Sequence, residues 1–345
     1  MKIFKKPFVF SVFYSAFLIL LSSAILLDAF VIPNEMKPSF DGGAVSADLT
    51  FTFGEITDIP PAEDTTAFDA EDDTTPINED SEYVTQADEI TDVQTEPFVP
   101  IISDTEYRDE NIRITLQTVR LHETQVYIAD VYISSAEYFK TALAKNKFGT
   151  NISEKTSTIA KNNGAILAIN GDYYGADKKG YVIKNGTLYR ESVRSDYKYC
   201  DLCYMYDGSF KIFNEHDISA KDLLNSGVYQ LFTFGPVLVN DSNITVNEGD
   251  EVGVAMASNP RTAVGIVDKL HYIFVVSDGR TKESKGLSLI QLATLMKERG
   301  CTTAYNLDGG GSSTMYFNGR VVNKPVNRGS KISEREVSDI VYIGY

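Results

Sequence analysis

Three dipeptides, Asn185-Gly186, Asp207-Gly208 and Asn318-Gly319, each stand between two runs rich in aromatic and β-branched residues. Asn-Gly and Asp-Gly supply the backbone conformation a tight hairpin turn needs, so each predicts two antiparallel strands meeting at the turn. The flanking runs are 181–184 with 187–189, 203–206 with 209–213, and 315–317 with 320–322. Strand patterning adds the pairs 112–119 with 125–133 and 262–267 with 271–277. Only two stretches read as amphipathic helices, 152–163 and 289–299; in the second, Leu289, Leu292, Ala293 and Met296 share one face. Ser288-x-x-Gln291 is a capping-box pattern, which gives Gln291 a structural role, and Gly300 is the stop signal. Many hairpins with few helices predict an α+β fold with a predominantly antiparallel or mixed sheet, not a doubly wound one.

Both helices lead into the same sequence of parts. The first is followed by Gly164, an apolar strand over 165–169 and Asn170-Gly171-Asp172. After the second come Gly300, a strand over 301–305 and Asn306-Leu307-Asp308-Gly309-Gly310-Gly311. This order predicts two related halves that set their loops side by side.

A different physics governs the first hundred residues. Lys2, Lys5 and Lys6 precede an uncharged run over 8–27, long enough to cross the hydrocarbon core as a helix. The basic cluster leaves the N-terminus in the cytoplasm. Residues 28–32 offer no small-x-small cleavage site, which favours an uncleaved anchor over the rival reading, a cleaved secretory signal. Either way the remainder lies outside the cytoplasm. From Pro38 to Tyr107 there are nineteen Asp or Glu and no Lys or Arg, against a net charge of −16 for the whole chain. The remainder therefore sums to about +3, and the acidity says nothing about the partner of the folded part. Such a segment buries too little apolar surface to offset chain entropy and is expected to be disordered. The chain divides into a cytoplasmic N-terminus with transmembrane anchor (1–32), a disordered acidic linker (33–104) and a domain (105–345). No nucleic-acid partner is expected. Cys200, Cys203 and Cys301 make no disulfide framework, and no second pair or histidine completes a zinc site around Cys200-x-x-Cys203.

Polar residues that carry chemistry cluster at strand ends: Asn170 and Asp172, Arg261, Asp278 and Arg280, and Asp308 with its three glycines and Ser312-Ser313-Thr314. A glycine triplet lets the backbone approach a ligand and aim N–H groups at an anion, and an arginine can grip phosphate in bidentate fashion. A carboxylate can position and deprotonate water. Taken singly, Asn-Gly-Asp and Asp-Gly are ordinary turn formers, but a plain turn seldom needs three glycines. His122, His216 and His271 lie outside these motifs, which argues against a serine–histidine–aspartate hydrolase or a histidine-rich metal centre.

Six stretches resemble the phosphodiester glycosidase family, in family order: 168–174 (Ala-Ile-Asn-Gly-Asp-Tyr-Tyr), 234–236 (Phe-Gly-Pro), 260–265 (Pro-Arg-Thr-Ala-Val-Gly), Asp278-Gly279, 286–289 (Gly-Leu-Ser-Leu) and 306–314 (Asn-Leu-Asp-Gly-Gly-Gly-Ser-Ser-Thr). The resemblance implies hydrolysis of a sugar-1-phosphodiester in an envelope or surface glycan such as an exopolysaccharide. Asp308, Asp278 and Arg261 are the candidate catalytic residues. Asn170, Gly171, Asp172, Tyr174, Gly235, Thr262, Arg280, Gly309, Gly310, Gly311, Ser312 and Ser313 are the candidate substrate-binding residues. Animal members carry glycine in place of Asp172, and many relatives carry Glu in place of Gln291. Two rivals use the same pocket. One is a non-catalytic glycan-phosphate binding module. The other is a phosphodiesterase in which Asp172, Asp278 and Asp308 hold a divalent cation and the P–O bond breaks.

Overall fold

The computed structural model describes residues 7–39, 99–195, 200–248, 250, 258–327 and 331–345. Most of the expected acidic linker lies outside them. All five expected strand pairs form, and every strand pairing among the described residues is antiparallel. The Asn185-Gly186 and Asn318-Gly319 turns have positive φ at both residues, as tight hairpin turns demand.

Nine strands make one large sheet, in the order Asn243–Ile244, Val237–Asn240, Thr303–Leu307, Thr262–Asp268, His271–Ser277, Thr124–Ile133, Ile112–Leu121, Glu106–Arg108, Ile101–Ile102. A five-stranded sheet runs Arg320–Val321, Met315–Phe317, Leu167–Asn170, Asp339–Ile343, Phe139–Leu143. Between these sheets lies the main core, where Ile114, Val131, Val264 and Phe274 of the large sheet meet Leu167, Ile169, Phe317 and Val341 of the small one. A three-stranded sheet (Phe210–Phe213, Asp201–Met205, Val228–Phe232) adds Tyr204 and Phe232 to that core. The outer face of the large sheet is covered by helix Leu289–Glu298 through Leu292, Ala293 and Met296. Helix Thr156–Asn162 covers the outer face of the small sheet through Ile159 and Ala160. Each helix thus buries its apolar face on the outer side of one of the two sheets.

Ser288 and Gln291 form the capping box in both directions, with Gln291 Oε1 accepting from the Ser288 N–H at 3.0 Å. The first helix starts a turn later than its periodicity suggests. Glu154–Lys155 instead pairs with Glu336–Val337, so tertiary pairing overrides the helical spacing there. Cys200, Cys203 and Cys301 are free thiols, and Cys203 and Cys301 are buried as small apolar residues. Burial pushes the Cys301 thiol up to about 12, which leaves it inert.

Helix Pro7–Phe30 precedes the domain. Its window Ser11–Asp28 has a mean hydropathy of 1.9 and no buried residue, and it is the one helix among the described residues long and apolar enough to cross a membrane. The two described ends of the expected linker carry strands. Asn34–Glu35 pairs with Gly149–Thr150, and Ile101–Ile102 pairs with Glu106–Arg108.

Candidate active site

The two loops do meet. Asn170, at the end of its strand, donates from Nδ2 to the Asp308 carbonyl at 2.6 Å, and the Asp308 N–H donates to the Gly171 carbonyl at 3.3 Å. Asn170 Oδ1 accepts from Thr262 Oγ1 at 2.8 Å and from the Thr314 N–H at 3.3 Å. All these groups are buried, so the Asn170 and Thr262 side chains bolt three loops together. Gly171 has ordinary negative φ. It is glycine because a Cβ there would overlap the Asp339 carboxyl.

The 308–314 loop is the centre of the arrangement. Gly310 N–H donates to the Pro260 carbonyl at 2.8 Å, and a Cβ on Gly309 would sit 2.8 Å from that same oxygen. The glycine run is thereby pressed onto the backbone beside Arg261. Arg261 is buried, with its N–H donating to Ser277 Oγ at 2.9 Å and its Nε to the Leu287 carbonyl at 2.9 Å. On the other side, the exposed Arg280 guanidinium lies over Gly310, 2.8 Å from where a Cβ would be. Arg280 Nη2 and Nε donate to Asn259 Oδ1 at 3.0 and 3.2 Å. Gly235 is clasped from below, where Asn306 Nδ2 donates to its carbonyl at 2.7 Å.

Asp308 takes its charge partners on one oxygen. Oδ2 accepts from Ser312 Oγ at 2.6 Å and from Arg335 Nη2 at 2.6 Å, while Arg335 Nε also donates to Ser312 Oγ at 2.8 Å. Burial raises the Asp308 pKa above the ordinary carboxylate range, and Arg335 and Ser312 offset part of the rise. The Arg335 side chain remains 39% exposed, so its guanidinium reaches solvent from a buried carboxylate. Its guanidinium carbon sits 5.7 Å from the ring centre of Tyr173, a cation–π contact. Tyr173 is 45% exposed and holds φ 70°, whereas its neighbour Tyr174 is buried and stacks on Phe148. A bulky residue with positive φ carries strain of the kind found at functional loops.

Asp278 is attached to the same loop through Asn323, whose Nδ2 donates to Asp278 Oδ1 at 3.3 Å and to the Ser313 carbonyl at 2.9 Å. The Lys324 N–H donates to Asp278 Oδ1 at 2.8 Å and the Tyr127 hydroxyl to Oδ2 at 3.4 Å. Burial raises its pKa despite these donors. Ser313 is buried, and its hydroxyl has no hydrogen-bond partner among the described residues.

Asp172 belongs to a separate cluster. Its Oδ2 lies 3.2 Å from Lys184 Nζ, and Lys184 Nζ lies 2.9 Å from Asp339 Oδ2, with all three side chains 1% exposed. The Thr233 N–H donates to Asp172 Oδ2 at 3.2 Å. Burial pushes the Asp339 carboxyl up to about 6, with a single ammonium set between two carboxyls. Asp172, Asp278 and Asp308 thus each have their own donors, and no group of three acidic, histidine or cysteine side chains that could hold a metal ion occurs among the described residues. This donor set does not fit a divalent cation held by those three carboxylates.

Sequence patterning missed Arg335, Tyr173, Lys184 and Asp339. Arg335 stands in an ordinary charged run, and it reaches the site because strand Asp339–Ile343 pairs with Leu167–Asn170 and its own N–H donates to the Gly311 carbonyl at 3.3 Å.

A family profile described as phosphodiester glycosidase matches residues 163–344. The SPbeta prophage-derived protein YomE of Bacillus subtilis is 29% identical over 201 residues, 57% of this chain and 31% of that protein. The mouse N-acetylglucosamine-1-phosphodiester alpha-N-acetylglucosaminidase is 36% identical over 107 residues, 30% of this chain and 20% of that protein. The chain therefore spans less than a third of the length of these curated relatives. Among solved structures, the catalytic domain of the zebrafish N-acetylglucosamine-1-phosphodiester alpha-N-acetylglucosaminidase, auto-inhibited by its pro-peptide, superposes with a TM-score of 0.54 at 22% identity. That likeness covers 68% of this chain and 83% of the other. A protein from Synechocystis gives 0.53 at 14% identity, covering 72% of this chain and 64% of that one. These likenesses speak to the fold.

Proposed function

This chain belongs to the phosphodiester glycosidase family, and from that premise we propose that it hydrolyses a sugar-1-phosphodiester between the anomeric carbon and the phosphate oxygen. The 308–314 loop carries the reading. One stretch of chain gathers a buried carboxylate, two arginine side chains and a glycine run that lets Arg280 and the Pro260 backbone approach it closely.

Arg335 and Arg280 hold the phosphate from two sides of Gly310, and Arg261 adds its charge from the buried layer behind. Water attacks the anomeric carbon, the bond to the phosphate oxygen breaks, and the phosphate monoester departs with the electron pair. Asp308 positions that water and takes its proton; burial makes it a stronger base than an ordinary aspartate once it is ionised. A phosphate monoester leaves readily, so the site needs charge stabilisation more than a strong acid. Asp278 holds a sugar hydroxyl, and Tyr173 offers its ring to the sugar face. Asn170, Thr262 and Ser312 hold the loop in place.

Helix Pro7–Phe30 anchors the protein in a membrane with its N-terminus in the cytoplasm, and the domain that follows works outside. The test is a panel of sugar-1-phosphodiesters, N-acetylglucosamine among them, turned over in water labelled with heavy oxygen. Label is expected on the sugar, with an intact phosphate monoester as the second product and no effect of chelators. Label in the phosphate would overturn the proposed bond cleavage.

A further inference from the structure

We propose that the domain works docked on the membrane surface and takes a glycosyl phosphodiester whose aglycone is a membrane lipid, a substrate class that rests on the glycosidase reading above. Three residues, Val31, Ile32 and Pro33, separate helix Pro7–Phe30 from strand Asn34–Glu35. The four Cα steps from Phe30 to Asn34 span at most about 14 Å, so the strand that pairs with Gly149–Thr150 begins within that distance of the end of the helix.

The docking is specific. Beyond the strand pairing, the Met36 N–H donates to the Phe148 carbonyl at 2.8 Å and Ser39 Oγ to the Tyr189 carbonyl at 2.9 Å. Lys147 Nζ pairs with Glu35 Oε2 at 2.7 Å. A Cβ on Gly149 would fall onto the Asn34 carbonyl, so the domain keeps this position bare for the incoming strand.

Two residues then join the anchor to the site loop. Asn151 Nδ2 donates to the Asp28 and Ile32 carbonyls at 3.4 and 3.1 Å, at the helix end where backbone acceptors lack helical partners. The Asn151 N–H donates to the Gly175 carbonyl at 3.4 Å, two residues past Tyr173. Phe148 is the second link, since its carbonyl takes the Met36 N–H while its ring stacks on Tyr174 at 5.4 Å. The half-exposed Tyr173 and the Arg335 beside it are therefore held near the end of the membrane helix. Phe30, Val31, Ile32 and Met36 are exposed and apolar on the same segment. Tyrosine and arginine both suit the boundary between lipid and water. A diester with a lipid aglycone keeps its chain in the bilayer and presents its phosphate at that level.

The experiment uses the full-length protein in phosphatidylcholine vesicles. Its probes are the methyl and hexadecyl diesters of whichever sugar-1-phosphate the panel above shows to be cleaved. The hexadecyl diester should turn over roughly tenfold faster or more, because docked enzyme and substrate share one surface. Replacing residues 33–39 by Gly-Ser repeats of equal length, or Gly149→Val, should abolish that advantage and leave the methyl diester within about twofold of the original rate. Equal rates on the two diesters with the unaltered protein would refute the proposal while leaving the glycosidase reading intact. So would an advantage that survives both alterations. If the panel yields no cleaved diester, the glycosidase reading itself fails and this inference falls with it.

Discussion

The molecule builds two clusters from the same parts, carboxylates against a basic side chain, and gives them different access to water. Asp172, Lys184 and Asp339 are sealed, each 1% exposed, whereas Asp308 and Arg335 are 10% and 39% exposed. The sealed cluster joins the 170–174 loop to the strand Asp339–Ile343, and its charges face one another and buried protein groups. The open one begins at a buried carboxylate and ends at a guanidinium in contact with solvent. Composition alone would rank the two alike, since each pairs aspartate with a basic side chain. Solvent access separates a scaffold from a site: a buried pair can only hold its surroundings, but a half-open one can exchange a partner for a ligand.

Substitutions in the two clusters should therefore fail in different measurements. The largest effect belongs to Lys184→Met, which strands two buried carboxyls and should cost about 3–5 kcal/mol in chemical denaturation. Next, Arg335→Ala should lower kcat/KM for the diester by roughly a hundredfold or more, as for loss of other charge-stabilising donors, with a smaller stability loss than Lys184→Met because water can reach the place the guanidinium leaves. If Arg335→Ala unfolds the protein and Lys184→Met leaves it stable but inactive, the two roles are reversed.

The sealed cluster should also write a pH signature. Asp339 is pushed up to about 6 in the folded state, so the folded protein holds a proton that the unfolded chain releases near the ordinary carboxylate value. The stability this provides is full below about pH 4 and is lost as pH rises through about 6, on the order of 3 kcal/mol in all. Comparing the protein with Asp339→Asn across that window by denaturant titration should isolate it, because the asparagine variant lacks this slope. A parallel dependence in both proteins would place the titration elsewhere. The smallest effect lies outside both clusters. Gln291→Ala should cost on the order of 1 kcal/mol of stability with turnover unchanged, and Gln291→Glu almost nothing, because either long polar side chain completes the cap. Turnover lost by a stable Gln291→Ala protein would move that residue into the site.

What was legible in the sequence follows the range of the forces involved. Hairpins at Asn185-Gly186 and Asn318-Gly319 are fixed by local turn chemistry, so they could be read from a few residues. The repeated order of helix, glycine, strand and polar loop was legible too, and it correctly brought Asn170 next to Asp308. Glycine density marked the 308–314 loop because close backbone approach leaves a compositional trace. Arg335 and Lys184 leave no such trace. Each looks like an ordinary surface cation, and only tertiary packing, of Lys184 against Asp172 and Asp339 and of Arg335 against Asp308, decides that one is sealed and the other half-open. The Asn-Gly-Asp motif was misleading in a specific way. Its glycine reads as a turn former, but the structure uses it to make room for Asp339.

The short strand Asn34–Glu35 changes what the acidic stretch after it is for. Folded structure lies on both sides of that stretch, at Asn34–Glu35 and at Ile101–Ile102, so its two ends are fixed to one body. Its length then has no say in how far the domain stands from helix Pro7–Phe30. In general, doubling a chain segment closed at both ends costs only about 0.6 kcal/mol in closure entropy, so insertions and deletions between these two anchor points leave the junction of helix and domain as it is.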